Sequence, residues 1–330
     1  MDPVTHLTAG ALAASALRHK ARKLLVFPFC LLAVWLADGD QLFGSSAQDY
    51  LVNHRGLTHS LIFAPIMALL PALIFAPFMK RLGFKALYMV SLALALIHIY
   101  QDWITSYGTQ LFAPFTDARY GLSSVFIIDP FMTLTALALF AVSLFRGERG
   151  RRIAVWGLIF MIAYPLAAWG VKRAAHVTAP ELLAEASVEY DSYELTTDAF
   201  SPLYWKLIVR DGDKIGMAGI RVLPPELFAL DWHKSADTAL LEVLAAQEDF
   251  FATWKWFAGY PAMDTTPLPG GGRKVVFKDL RFGIKSPPAL KIVDGDRAPF
   301  SLTAWIGPGG KLERYSYNRP SGSDAQRVPN

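Results

Sequence analysis

Up to about residue 171 the chain is a succession of apolar runs, and the turns between several of them are short and crowded with Lys and Arg. A backbone inside hydrocarbon must satisfy its own polar groups, so a stretch of this texture points to helices that cross a membrane. Mean hydropathy is +0.30 and only 18% of residues are charged, too apolar for an ordinary soluble enzyme. The runs cover residues 4–17, 24–37, 61–78, 86–99, 130–145 and 153–171. They predict a mostly α, polytopic helical bundle of about five to six membrane helices. The first run is rich in Ala and Gly, which lets helix backbones approach closely. It reaches roughly 21 Å against a hydrocarbon core of about 30 Å, so a short span, a re-entrant helix and an interfacial helix all stay open.

The positive charge orients the bundle. Turns 18–23, 80–85 and 146–152 hold nearly all the Lys and Arg of this half, and cytoplasmic loops carry that excess. With those turns inside, the other helix ends face outward, and His6, Asp38, Asp40, His54, His59, His98, Asp102 and Asp129 all fall on that outer side. The chain's small basic excess, 32 Lys and Arg against 28 Asp and Glu, is therefore membrane topology, and no direct nucleic-acid binding is expected. Met1-Asp2 opens acidic rather than basic, so no cleavable signal peptide is expected. The single cysteine, Cys30, lies in an apolar run and has no intrachain disulfide partner.

From about His176 the texture becomes that of a soluble domain. Residues 204–209 alternate as a strand, Asp211-Gly212 signals a hairpin turn, and 214–222 reads as the partner strand. Ser235 is positioned to cap a helix through about Phe251, and 274–282, 290–293, 301–306 and 311–317 are further strand candidates. The expected organisation is an integral membrane domain over 1–172, an extracytoplasmic α+β domain with an antiparallel sheet over 173–318, and a disordered tail over 319–330.

The densest chemistry is Asn53-His54-Arg55-Gly56-Leu57-Thr58-His59-Ser60, directly before an apolar run. Polar groups kept at a membrane helix are costly, which marks a site. His98 and Asp102 are four apart on one predicted helix and share a face, so they can bind one ion together; a polar helix end with Asp102 bonded to His98 is the plainer alternative. Asp38 and Asp40 can bridge or flank a metal, or simply end a helix, although acids at a helix C-terminus oppose its dipole. Asp129-Pro130 is an ordinary helix start. Arg55 can hold a phosphate or carboxylate bidentately, or anchor to lipid headgroups. His176 and His233 have nothing nearby in sequence to make them ligands. Mixed imidazole and carboxylate donors suit Zn, Mn or Fe, and the pool exceeds what one tetrahedral ion needs, so one or two divalent ions are expected, Zn first. No Gly-x-Ser-x-Gly elbow offers a serine hydrolase instead.

Together Asp2-x-x-x-His6, Asp38-Gly-Asp40, His54-Arg55-Gly56-x-Thr58-His59-Ser60 and His98-x-x-x-Asp102-x-x-Thr105-x-Tyr107-Gly108 followed by Pro114-Phe115 resemble the YdjM-like family, inner-membrane proteins described as LexA-binding or LexA-regulated metal-dependent hydrolases. The motif set spans roughly the first 130 residues, and the tail with Tyr204-Trp205 looks like the extension of longer members. The resemblance implies a multi-pass protein of the bacterial inner membrane, with His6, Asp38, Asp40, His54, His59, His98 and Asp102 at the family's polar motif positions. An outward-facing site leaves the LexA association to transcriptional control.

The expected function is metal-dependent hydrolysis at the outer membrane–water boundary, on a membrane lipid or lipid-linked ester or phosphoester. His59, His98, Asp102, Asp38 and Asp40 are expected as metal ligands, and His54, Arg55 and His6 as catalytic groups. Arg55, Thr58, Thr105 and Arg119 are the expected substrate contacts, with Asp129 a further candidate. The rival is a non-enzymatic membrane protein, a transporter or envelope-stress scaffold, whose polar cluster stabilises the bundle or holds a structural ion. A transporter should show two similar halves and polar residues deep in several spans, and the sequence shows neither.

Overall fold

The computed structural model describes residues 1–18, 23–42, 46–292, 299–319 and 322–327. Of the expected basic turn at 18–23, residues 19–22 therefore lie outside the described residues. The chain divides into two compact units, one of Met1–Gly44, Asn53–Val171 and Phe200–Pro202, the other of Ser45–Val52, Lys172–Ala199 and Leu203–Asn330.

The first unit is helical. Helix α1 (Pro3–Leu17) starts where Asp2 accepts a hydrogen bond from Thr5 N and Pro3 takes the first helical position. It packs on α2 (Lys23–Trp35) through Gly10, where a Cβ would sit 2.7 Å from Val34 Cγ1 and 3.0 Å from the Cys30 carbonyl oxygen. Helix α2 tightens into a 3-10 turn, Leu36–Leu42, which holds the two aspartates. Helix α3 (Ala47–Asn53), which up to Val52 belongs to the second unit, opens on a reciprocal cap: Ser46 N donates to Asp49 Oδ2 (3.1 Å) and Asp49 N to Ser46 Oγ (3.0 Å). A second 3-10 turn, Leu57–His59, leads to α4 (Ala64–Phe75), and α5 (Gly83–Trp103), α6 (Pro130–Phe145) and α7 (Gly147–Glu185) follow. Arg18 donates to Ser143 O at 2.9 Å, Leu144 O at 3.2 Å and Gly147 O at 3.2 Å, satisfying carbonyls left open at the end of α6.

Fewer helices meet the length and apolarity of a membrane span than the expected five to six. Three do among the described residues, Leu24–Leu42, Gly83–Trp103 and Gly147–Glu185, or four if the bent pair Ala47–His59 and Ala64–Phe75 counts as one span. Helices α1 and α6 have 15 and 16 residues, so at about 1.5 Å per residue they fall short of the hydrocarbon thickness. Of the apolar run 61–78, α4 takes Ala64–Phe75, and it meets the preceding segment Ala47–His59 at a 75° bend. Ser60 makes the break: its Oγ accepts from Ile62 N (3.1 Å) and Phe63 N (3.3 Å) and donates to Ala113 O (2.6 Å). Helix α7 outruns its expected end at Val171, because residues 174–185 are mostly Ala, Leu and Glu, strong helix formers.

The second unit is built on an antiparallel sheet whose strand order follows the chain: β1 (Ser192–Thr197), β2 (Tyr204–Asp211), β3 (Lys214–Arg221), β4 (Glu226–Ser235), β5 (Pro261–Pro267), β6 (Arg273–Asp279), β7 (Ser301–Ile306), β8 (Leu312–Arg319) and β9 (Gly322–Arg327). The β2–β3 hairpin closes at Asp211↔Lys214, with Gly212 at φ +55° in its two-residue loop. Instead of one helix from Ser235, there are two, α8 (Thr238–Ala245) and α9 (Phe250–Phe257). Ser235 ends β4, and Asp237 caps α8 by accepting from Ala239 N (2.9 Å) and Leu240 N (3.2 Å). The strand expected at 290–293 is not formed by its described part: Leu290 closes a short helix, α10 (Pro287–Leu290), which Pro287 and Pro288 start. Residue 293 lies outside the described residues. The tail expected to be disordered contributes β9, which pairs with β8 from Arg314↔Arg327 to Arg319↔Gly322 and covers an otherwise unpaired edge. Trp254 and Phe277 anchor the core, ring centroids 5.8 Å apart, and Trp254 Nε1 donates to Phe300 O at 2.7 Å.

Lys206 lies fully buried in β2 and donates to the Arg281 carbonyl at 2.6 Å. Burial lowers its pKa to about 8; Asp198 and Asp279 nearby favour the charged form, while Arg281 and Lys285 oppose it. The group titrates near 10.5 when exposed, so the folded state binds the proton less tightly than the unfolded chain. Stability should therefore rise with pH from about 8 towards 10, and the gain is lost again as pH falls back to 8. Denaturant titrations across that window should show the slope in the wild type and a flattened profile in Lys206→Met.

Candidate metal centre

Four segments of the helical unit meet at one buried cluster. The 3-10 turn after α2 presents Asp38 and Asp40, the 3-10 turn before α4 presents His59, the last turn of α5 presents His98 and Asp102, and α1 presents His6. The loop before His59 supplies His54 and Arg55. Arg55 holds φ +61°, a left-handed conformation uncommon for a residue with a side chain, and its amide donates to Asp40 Oδ2 at 3.2 Å.

Asp38, His59, His98 and Asp102 are all buried and each offers one donor atom, all within 4.8 Å of one another. His59 Nε2 and His98 Nε2 face each other at 3.1 Å. Asp102 Oδ2 is 3.0 Å from His59 Nε2 and 3.5 Å from His98 Nε2, and Asp38 Oδ1 is 3.6 and 3.5 Å from the same two atoms. Ligands about 2.0–2.1 Å from a tetrahedral ion lie roughly 3.3–3.4 Å apart, a spacing close to those between the two imidazoles and between each imidazole and the carboxylates. Two carboxylates and two imidazoles are a donor set that suits a divalent cation such as Zn, Mn or Fe. Asp102 Oδ2 is buried without a hydrogen-bond partner, a cost that an ion at this point would offset.

A second group, Asp38, Asp40 and His54, again offers three donor atoms within 4.8 Å, and it is less deeply buried at Asp40. Asp38 belongs to both groups. Asp40 ties them together: Oδ1 lies 3.3 Å from His54 Nδ1, while Oδ2 lies 3.4 Å from His59 Nδ1 and accepts from Thr58 Oγ1 at 3.1 Å. A carboxylate on Nδ1 sets the tautomer that leaves Nε2 as the donor atom, the usual support of a ligating imidazole.

The other expected residues support the cluster. Arg55 is buried, and its Nη2 pairs with Asp102 Oδ1 at 2.8 Å while Nη1 donates to Thr105 Oγ1 at 2.8 Å. The guanidinium is thus bound to a site carboxylate, and Thr105 and Thr58 are likewise bonded within the cluster. His6 stacks on His98 with ring centroids 3.9 Å apart; its Nδ1 meets Gln101 Oε1 at 2.8 Å and its Nε2 lies 3.3 Å from Asp102 Oδ1. The Met1 ammonium group also pairs with Asp102 Oδ1. Arg119 is half-buried and donates to the His54 carbonyl at 2.6 Å. Asp129 stays outside the cluster: it caps α6 through Met132 N (2.8 Å) and accepts from the Tyr164 hydroxyl at 3.2 Å.

Two residues of the site escape the sequence reading of roles. Tyr107 carries Arg55 4.7 Å and Arg119 5.1 Å from its ring centroid, and Gln101 orients His6. The Tyr107-Gly108 pair next to Thr105 was the available signal. Gly108, at φ +88°, leaves room for Arg119, whose Cβ a side chain there would meet at 3.0 Å.

Fold and cluster define a membrane protein whose helical unit carries a buried His–Asp group able to hold metal. The chain belongs to the YdjM inner membrane protein family, whose model matches residues 1–176. Over 104 residues it is 31% identical to Uncharacterized protein YfhP of Bacillus subtilis (strain 168), and the match covers 31% of this chain and 31% of that protein. The chain thus spans about a third of the length of the curated relative it matches. No solved structure matches it.

Proposed function

We propose that this protein is a metal-dependent hydrolase of the inner membrane that acts on a lipid or lipid-linked phosphoester at the extracytoplasmic boundary. The observation that carries the reading is the pair of donor groups sharing Asp38. Asp38, His59, His98 and Asp102 would supply four protein donors to one ion, which favours a structural or charge-neutralising ion there. Asp38, Asp40 and His54 would supply three donors, the number that in a catalytic site leaves a position for water. Such an ion, Zn or else Mn or Fe, supplies a Lewis acid that acidifies water and stabilises a leaving oxygen.

The chain's own residues do the rest. Asp38 belongs to both donor groups and would link them, and Asp40 contacts both His54 and His59. Arg55 pairs with the Asp102 carboxylate, and Thr105 holds the Arg55 guanidinium in place. Arg119, half-buried beside His54, is the group placed to draw an anionic oxygen toward the open position. Sidedness rests on the three basic turns, and a reporter fused after Val171 that works only in the cytoplasm would contradict it.

The test is turnover by metal-loaded protein in vesicles containing a panel of lipid phosphoesters and carboxylic esters, read by mass spectrometry. Metal-dependent release of a phosphate-bearing product, abolished in His54→Ala, is the expected outcome. No product from any member of the panel would favour a structural ion in a non-enzymatic membrane protein.

A further inference from the structure

The loop between α5 and α6 carries an apolar turn, Leu111-Phe112-Ala113-Pro114-Phe115, that the proposed hydrolysis does not use. Phe115 is 81% exposed and Phe112 43%, although neither belongs to a candidate span. Exposed apolar residues standing singly are ordinary, but this turn continues a larger apolar surface. Leu61 N donates to Leu111 O at 3.0 Å, which sets the turn beside the start of α4, where Leu61, Ile62 and Ile66 are exposed too. The backbone of the turn is already satisfied. The amides of Leu111, Ala113 and Phe115 donate to Thr109 O (3.0 Å), Gln110 O (3.2 Å) and Phe112 O (3.0 Å), and Pro114 has no N–H. The carbonyls of Leu111, Phe112 and Ala113 accept from Leu61 N, Phe115 N and Ser60 Oγ.

We propose that this turn is a membrane anchor, with Phe112 and Phe115 seated among lipid acyl chains just below the headgroups, at the end of the bundle that bears the His–Asp cluster. Non-helical backbone can approach hydrocarbon only when the protein satisfies its polar groups, and this turn meets that condition. Its height fits as well. Helix α5 has 21 residues and reaches about 31 Å against a hydrocarbon core of about 30 Å, so the loop that leaves it at Ile104 starts at the membrane boundary. Tyr100 and Trp103 close that helix with ring centroids 6.1 Å apart, and Tyr120 meets Phe112 edge-on at 5.3 Å, the aromatic enrichment of a bilayer interface. Asp117, exposed two residues after Phe115, limits the depth, since its polar side chain stays among hydrated headgroups. The anchor ties to the bilayer the same loop from which Arg119 reaches the His54 carbonyl.

The inference stands apart from the proposed hydrolysis, since the measurement needs neither metal nor turnover. The one native cysteine, Cys30, is buried, so a thiol introduced by Phe115→Cys or Phe112→Cys can be nitroxide-labelled selectively. Each labelled full-length protein, diluted into phosphatidylethanolamine–phosphatidylglycerol vesicles, is read by power-saturation EPR with oxygen and with a water-soluble nickel chelate present on both sides of the membrane. Oxygen concentrates in hydrocarbon and the chelate is excluded from it. Glu313→Cys, at an exposed position of β8, is the aqueous reference. At 115 and 112 the ratio of oxygen to nickel collisions should exceed that at 313 several-fold. A nickel-dominated signal at either position, as at 313, would overturn the anchor and leave the turn in water. Low access to both reagents with spin–spin broadening would also overturn it, assigning the turn to contact between two copies of the chain.

Discussion

Asp38→Ala is expected to leave the protein without bound metal at either position, whereas His54→Ala should retain one ion of two. The difference follows from geometry: Asp38 is a member of both donor groups, while His54 belongs to the outer group alone. Losing even a residue that only orients a ligand costs roughly 10–100-fold in affinity, and losing a direct ligand costs more. His59→Ala should empty the inner position and weaken the outer one through Asp40, which bonds both imidazoles. Elemental analysis of the three purified variants beside wild type gives the stoichiometries, and equal metal loss in all three would deny two separate positions.

Arg55→Met is expected to be the most destabilising single change in the helical unit. Arg55 is buried and pairs with Asp102 at 2.8 Å, so its removal leaves a buried carboxylate short of a principal partner. Breaking one side of such a pair costs about 3–5 kcal/mol. A bound cation would restore part of the missing charge balance, so the loss should be larger in metal-free than in metal-loaded protein. Thermal unfolding in detergent, with and without added metal, measures both. An equal and small shift in the two states would show that Arg55 is a solvated anchor instead.

The candidate metal residues were legible because each sits at a polar break in an apolar run, where hydrocarbon makes an idle charge costly. His98 and Asp102 could be paired from helical spacing alone, and the structure sets them 3.5 Å apart. The role of Arg55 was not legible, since a guanidinium near a membrane surface reads equally as a phosphate anchor, and its partner lies 47 residues away. The bend at Ser60 is set by a single hydroxyl bonded to two following amides and to a carbonyl 53 residues away, a partner that local pattern does not encode.

In the sheet, β2, β3 and β7 announced themselves through apolar alternation or a hairpin turn. Strand β4 did not, because much of it is solvent-facing and carries Asp231, His233 and Lys234. Strand β5 begins and ends in proline, and β9 has no β-branched, aromatic or large apolar residue, so only pairing with neighbours reveals either as a strand. The residues Ser45–Val52, between Asp40 and His54 in the chain, belong to the sheet unit, a long-range placement that local pattern does not encode.

The most direct measurement is X-ray absorption at the metal edge of the purified, reconstituted wild-type protein. A first shell of nitrogen and oxygen at about 2.0–2.1 Å with imidazole scattering and no sulfur is the predicted result, since the sole cysteine, Cys30, is buried within α2. Absence of bound metal after reconstitution with Zn, Mn and Fe in turn would contradict the metal centre and leave the His–Asp cluster as a polar core of the bundle.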